Sequence, residues 1–369
     1  MSRNWTRTIP ALALSLAAAC GTASIEGADD LDSDADALSD GTPSMEMIRS
    51  GARAAAGVTP PLALRVRGKV RPFDNDGVER GYRIVKPGSF LYTGNQLDQF
   101  LKLTDPGVHH EDKDNATWSR QPGDLFADDG VLTWQNVQQG HLGDCYFAAG
   151  LAAVLFADKS GSWARNVIVP RKIDGKVVSW YVYFYQASGR RVRIEVDPDL
   201  LHRTANGKVL YMRSTDTKPG YEEWAASLIE KAYAVWHGSY EAIGNGGYAA
   251  DAIWALRGKR TTYFASTDSR LPAWIEWAAR YNRVQTACTY GDDEGVDYEG
   301  TGVYGDHCYA LRGIRKDAAG KVFVLLRNPW GPTTSQPSEP PTDGVNDGTF
   351  ELDLATFKKL YRSADVVTY

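Results

Sequence analysis

Cys145 stands behind Gln139-Gly140-His141-Leu142-Gly143-Asp144 and ahead of an almost wholly apolar run that reaches Phe156. A cysteine is usually a small buried hydrophobe, so its neighbours decide what it does. The Gly143-Asp144 turn followed by the apolar run predicts a buried helix opening at Cys145. A thiol in the first turn of a helix meets the positive end of the macrodipole, which favours its thiolate form. Such a nucleophile needs a base within hydrogen-bond reach, and the base needs a third group to orient it. His307 and Asn328 are of the right types for these two roles. Gln139, six residues before Cys145, offers a carboxamide N–H that could hold a developing oxyanion together with the Cys145 backbone N–H.

The base and its orienter must be carried by elements that bring them together. Residues 307–315 and 321–327 read as two strands joined by Lys316-Asp317-Ala318-Ala319-Gly320. Centring the turn between Asp317 and Ala318 sets His307 opposite Asn328, and directly opposed side chains have Cβ atoms about 4.5–5.5 Å apart. Residues 180–195 read as a hairpin turning at Ser188-Gly189, with aromatics at every second position from Tyr181 to Tyr185. Residues 222–243 predict one amphipathic helix stopped by Gly244, Gly246 and Gly247, and residues 271–281 predict another. Trp224, Trp236 and Trp254 are expected in the core.

The segment from Gln139 through Cys145 to Phe147 resembles the active-site motif of calpains, with Tyr146 where a Trp is usual. Arg327-Asn328-Pro329-Trp330-Gly331 resembles the asparagine motif of that family. Glu230-Lys231-Ala232-Tyr233-Ala234 and Gly238-Ser239-Tyr240-Glu241-Ala242 resemble the helical segment between the two motifs, and residues 350–361 the end of the protease core. The resemblance implies an α+β, papain-like two-lobed cysteine protease core: a helical lobe with Cys145 and a β-rich lobe with His307 and Asn328. It implies that Gln139 is the oxyanion donor, that Trp330 shields the His307–Asn328 hydrogen bond, and that Gly143 and Asp144 shape the binding loop. Two departures stand beside the histidine. Asp306 occupies a position that is normally Gly, and Cys308 one that is normally small.

The resemblance also suggests a Ca²⁺ switch, but two positions argue against a strong one. Asn136 stands nine residues before Cys145, and Thr334 four residues past Trp330, where the family places carboxylates. Neutral groups hold a hard dication less well than carboxylates do, so Ca²⁺ is expected to be weak or dispensable and no cofactor is required. The loop Asp292-Asp293-Glu294, with Asp297 and Glu299, lacks EF-hand spacing. His109, His110, His202 and His237 show no ligand spacing, so no metal centre is expected.

The 369 residues divide into four expected regions. Arg3 and Arg7 ahead of the apolar residues 9–19 predict a signal peptide over residues 1–19. Ala17-Ala18-Ala19-Cys20 resembles a bacterial lipobox and predicts lipidation at Cys20. The chain is thus expected to be exported, as a membrane-anchored lipoprotein or as a plainly secreted protein. Residues 20–44 hold seven acidic residues and no Lys or Arg, the composition of a disordered tether. Residues 45–130 read as a loosely structured lead-in or prosegment, and residues 131–369 as the catalytic core. The signal and tether account for the whole net charge of −5, so the remainder is neutral and lacks a basic field for nucleic acid. If Cys20 is lipidated, Cys288 and Cys308 could pair and leave Cys145 reduced, although spacing does not fix connectivity. The partner implied by this chemistry is a protein or peptide substrate. Acyl transfer to an amine, as in transglutaminase-like enzymes, would proceed through the same thioester, and a non-catalytic surface binding module on the same fold is a third reading.

Overall fold

The computed structural model describes residues 103–126, 130–214, 217–218, 221–332 and 347–369. The expected signal peptide, Cys20, the acidic tether, most of the lead-in and Thr334 lie outside the described residues.

A helix that is apolar on every side has to be surrounded by other elements. Cys145–Ala157 forms such a helix, α1, with its residues from Cys145 to Leu155 all buried. It crosses α5 (Ala249–Arg257) at Gly150, where a Cβ would lie 3.0 Å from that of Ala252. The small residue thus lets the two backbones approach. A short helix α2 (Trp163–Val167) leads into an antiparallel sheet of β2 (Ile168–Ile173), β3 (Lys176–Tyr185) and β4 (Arg191–Val196). The expected hairpin is the β3–β4 pair, with Trp180 opposite Val196 and Tyr185 opposite Arg191.

The folded unit begins upstream of residue 131. Strand β1 (Ala116–Arg120) pairs along its length with β5 (Asp199–Arg203), and Leu103, Leu125 and Phe126 are buried. The buried Lys231 Nζ lies 2.7 Å from Asp105 Oδ1 and 2.8 Å from Asp197 Oδ1. An ammonium taken out of water requires such partners, and one of them comes from the segment that composition had assigned to the lead-in.

After a short ladder of β6 (Thr217–Lys218) and β7 (Tyr221–Glu222), the single helix expected over 222–243 is divided into two. Helix α3 (Ala225–His237) ends at Gly238, whose φ of 102° is the left-handed cap that glycine accepts without a Cβ penalty. Ser239 then starts α4 (Tyr240–Ile243) by accepting the Ala242 N–H.

The second lobe is a six-stranded antiparallel sheet in the order β12-β11-β10-β9-β13-β8. Its strands are β8 (Thr262–Ala265), β9 (Gln285–Thr289), β10 (Cys308–Lys316), β11 (Val322–Arg327), β12 (Thr349–Asp353) and β13 (Tyr361–Val366). Helices α6 (Leu271–Arg280) and α7 (Leu354–Leu360) pack on it, and Leu271, Ile275, Tyr309, Leu326 and Tyr361 contribute to its core. A disulfide joins the directly opposed Cys288 and Cys308 on β9 and β10.

The β10–β11 register differs from the one read from the sequence. Ala310 faces Arg327, and beyond a bulge between Leu311 and Gly313, Gly313 faces Leu325. Asp317 Oδ1 accepts the N–H groups of Ala319 and Lys321, and the Asp317 N–H reaches the Lys321 carbonyl at 3.0 Å. The side chain of Asp317 therefore moves the turn later in the chain than a turn centred between Asp317 and Ala318. His307 lies just before β10 and Asn328 just after β11, so they meet through their side chains and not as opposed strand residues.

Candidate active site

The two lobes meet at the N-terminus of α1, along a cleft of about 1140 Å³ lined by Gln139, Gly143, Cys145, His307 and Trp330, among others. Residues 138–143 wind across the seam. The Gln139 N–H donates to the Pro329 carbonyl at 2.8 Å, and the Gly143 carbonyl accepts from Gly246 N–H at 2.9 Å. A Cβ on Gly143 would fall 2.3 Å from the Gly244 carbonyl oxygen. Glycine is thus required there by the close approach of a second backbone.

His307 and Asn328 are brought together as expected. His307 Nε2 lies 2.8 Å from Asn328 Oδ1, and the Trp330 backbone N–H reaches the same oxygen at 3.1 Å. An amide N–H can only donate, so Oδ1 is the acceptor in both bonds and His307 carries its proton on Nε2. Nδ1 is then the nitrogen available to a nucleophile. The His307 backbone is clamped to Thr289, which exchanges hydrogen bonds with both its N–H and its carbonyl. Trp330 packs with its ring centroid 4.6 Å from the imidazole, and the tilted Tyr304 ring lies 4.5 Å from Trp330. Burial in this apolar surround pushes the His307 imidazole down to about 4, against the upward pull of the Asn328 bond.

Cys145 is buried at the first position of α1, with Sγ 3.9 Å from the carbonyl oxygen of Asp306. The Cys288–Cys308 pair that the sequence allowed does form. Nucleophilic chemistry at this position needs a thiol. The Cys145 backbone N–H belongs to the first turn, whose N–H groups lack intrahelical acceptors. Gln139 is buried beside it, and Gln139 Nε2 donates one of its two N–H bonds to the Leu142 carbonyl at 2.6 Å. The carboxamide is thus anchored with a second N–H left for a ligand.

Asp144 is placed differently from the binding role expected of it. It is fully buried, does not line the cleft and makes no side-chain cap to α1. It sits against Glu230, whose two oxygens accept the Met212 N–H. Burial raises both carboxyl groups, and their mutual repulsion raises Glu230 further, so the pair holds a proton near neutrality beneath the nucleophile.

The residue before His307 resolves one departure seen in the sequence. Asp306 has φ of 48°, in the left-handed region where glycine is favoured and Asp is among the better-tolerated alternatives. Its carboxylate accepts the Asp292 N–H at 3.0 Å. Asn136, where a carboxylate would favour Ca²⁺, is spent locally: Oδ1 accepts the Thr133 N–H at 2.7 Å and the Thr133 hydroxyl. Asn136 Oδ1 is therefore already engaged by Thr133.

Sequence reading missed several contributors. Arg327, buried on β11, donates to the Val137 carbonyl at 2.7 Å and to the Gln135 carbonyl at 3.2 Å, strapping the β lobe to the segment that leads to Gln139. Its place next to Asn328 in the motif was the available signal. Tyr304 and the pair His109 and His110 line the cleft without any spacing that could have marked them.

The fold and this geometry define the papain-like class, in which a helical lobe presents a cysteine to a histidine and a carboxamide on a β lobe. Residues 98–338 match the calpain family cysteine protease domain, which is more than half of the chain. The chain belongs to the calpain family of cysteine proteases. It is similar to calpain clp-4 of Caenorhabditis elegans, at 29% identity over 265 residues covering 67% of this chain and 34% of that protein. Calpain-B of Drosophila melanogaster is 30% identical over 229 residues, 58% of this chain and 24% of the relative. Human calpain-14 is 30% identical over 200 residues, 52% and 27% respectively. The chain thus spans about a quarter to a third of the length of the relatives it matches.

Proposed function

We propose that the protein is a cysteine endopeptidase in which reduced Cys145 attacks a peptide carbonyl, and that the observation carrying this reading is the 2.8 Å His307–Asn328 bond beside Cys145 in one cleft. The Cys145 thiol gives its proton to His307 Nδ1, and the resulting thiolate adds to the carbonyl carbon. The negative oxygen that forms is held by the Gln139 side-chain N–H and the Cys145 backbone N–H. Collapse breaks the C–N bond, and the imidazolium passes its proton to the departing amine, leaving a thioester. Water then attacks the thioester with His307 taking its proton, and the carboxylic acid leaves as Cys145 is regenerated. Asn328 keeps the ring oriented throughout, and Trp330 keeps water away from the His307–Asn328 bond.

Casein hydrolysis in the presence of reductant tests the assignment. Cys145→Ala and His307→Ala should each abolish cleavage, and Gln139→Ala should lower kcat by roughly 10²–10³-fold. Unchanged turnover in either of the first two variants would refute it. Incorporation of an amine donor without release of free peptide would instead favour acyl transfer. We further propose that activity survives chelation, supported by the local use of Asn136 described above. Complete loss in EGTA, restored by micromolar Ca²⁺, would overturn that point. Export and lipid attachment at Cys20 are proposed from the sequence. Fatty-acid labelling that is absent from Cys20→Ala supports attachment, and an unlabelled native protein excludes it.

A further inference from the structure

Beside the rim of the cleft that His109 and His110 line, three potential ligand atoms converge from two distant segments. His109, His110 and Glu241 each offer one atom, and these atoms all lie within 4.8 Å of one another. His110 Nδ1 is 3.0 Å from Glu241 Oε2, and His109 Nε2 is 3.9 Å from the same oxygen. We propose that these residues form a binding site for a borderline divalent transition metal of the Zn²⁺ class, with a fourth position left for water or a ligand entering the cleft.

The framework that holds the three side chains argues for a built site. Gly107 and Ser239 form a parallel bridge, and the Tyr240 N–H donates to the Gly107 carbonyl at 2.8 Å. That bridge sets His109 and His110 beside Glu241, which projects from the first turn of α4. The His109 backbone N–H is fixed by the Tyr211 hydroxyl at 3.1 Å. Asn245 Nδ2 donates to Glu241 Oε1 at 3.3 Å, and the His110 N–H donates to Oε2 at 2.8 Å. Outer contacts of this kind orient metal ligands. Ligands around tetrahedral Zn²⁺, with bonds of about 2.0–2.1 Å, stand about 3.3 Å apart. The observed separations therefore need adjustments of up to about 1.5 Å, which exposed His110 and half-exposed Glu241 can make. Two imidazoles with one carboxylate suit Zn²⁺, Cu²⁺ or Ni²⁺ and not a hard oxygen-seeking ion such as Ca²⁺. Asn245, four residues beyond Glu241, is bridged to Gly143. A bound ion would thus join the upstream His109–His110 segment to the backbone that leads into Cys145.

The test uses the untagged full chain carrying Cys20→Ala together with Cys145→Ala, so that neither thiolate can supply a competing ligand. Zn²⁺ is titrated against a chromophoric chelator, and Co²⁺ absorption reads the coordination geometry. One equivalent should bind, and Glu241→Gln and His110→Ala should each weaken it at least tenfold. His141→Ala, which removes the neighbouring His141–Asp112 pair, should leave binding unchanged. Both substituted ligands are at the surface, and thermal melting confirms that the variants fold. No stoichiometric binding by the protein carrying Cys20→Ala and Cys145→Ala, or binding equally tight in both ligand variants, would overturn the proposal.

Discussion

Removing the Cys145 sulfur should leave His307 unable to take a proton near neutrality. Burial alone holds this imidazole down to about 4 even with Asn328 pulling the other way. A thiolate–imidazolium pair at pH 7 therefore needs about three pH units of support from the thiolate, or about 4 kcal/mol at 1.36 kcal/mol per unit. Two unit charges about 4 Å apart in an effective dielectric of about 20 attract by about 4 kcal/mol, which is the amount required. In the reduced native protein His307 should titrate near neutrality, and in Cys145→Ala near 4. The Cε1–H shifts in a proton NMR titration read both values. His237, buried and lowered to about 4 by the same desolvation, is an internal control that should not move. The sign has a second consequence. In Cys145→Ala the folded imidazole binds its proton later than the unfolded one, so stability is lost as pH falls from about 6.5 towards 4. Equal His307 titration in the two proteins would refute the claim that the thiolate supports the imidazolium.

Asn328→Ala removes the oxygen that accepts both His307 Nε2–H and the Trp330 N–H. A hydrogen bond to a charged partner contributes about 1.5–3 kcal/mol, so kcat/KM on a fluorogenic peptide should fall roughly 10–150-fold. Asn328→Asp keeps the acceptor and adds a negative charge, which should move the alkaline limb of the pH–rate profile upward. The Cys288–Cys308 link closes a separation of 20 residues. Replacing both with Ala should cost about 3 kcal/mol in denaturant unfolding without reductant. Asp365 is buried, bonded only weakly by Thr261 at 3.1 Å, and raised to about 7 by desolvation. A carboxyl raised on folding stabilises least at high pH, so the gain in Tm from Asp365→Asn should grow from about pH 4 to about pH 7 and then level off.

Much of this site was legible because its parts are local. A long apolar run behind the Gly143-Asp144 turn reads as a buried helix, and Gln139 with the motif around Asn328 marks the cysteine at its first position as a candidate nucleophile. The base and orienter were also readable by type, but their geometry was not, because register depends on what a turn's side chains do. Asp317 accepts two backbone N–H groups and moves the turn. The Gly313 bulge then shifts the register once more, and neither event leaves a periodic signal. The division of the 222–243 helix was visible in principle, since Gly238-Ser239 is a C-cap followed by an N-cap, yet the continuing apolar spacing concealed it.

What the sequence could not reveal lies in pairings across long separations. The ion pairs of Lys231 with Asp105 and Asp197 decide that residues 103–126 belong to the folded unit, although their Pro-, Gly- and Asp-rich composition points to a loose lead-in. The same fact bears on the chemistry. That upstream segment carries His109 and His110 to the cleft rim and meets Glu241 131 residues later, a spacing that no ligand motif describes. Arg327 works in the opposite direction along the chain. By donating from the β lobe to the carbonyls of Gln135 and Val137, it fixes the approach to Gln139 from the lobe that holds His307. Cys145, Gln139, His307 and Asn328 are therefore set relative to one another by interlobe contacts that include Arg327 to Gln135 and Val137, Gln139 to Pro329, and Cys145 against Asp306. The Arg327–Trp330 segment binds the lobes together through Arg327 and Pro329 while Asn328 holds His307 Nε2. A substitution at Arg327 should on this reasoning disturb the Gln139 carboxamide before it disturbs the His307–Asn328 bond.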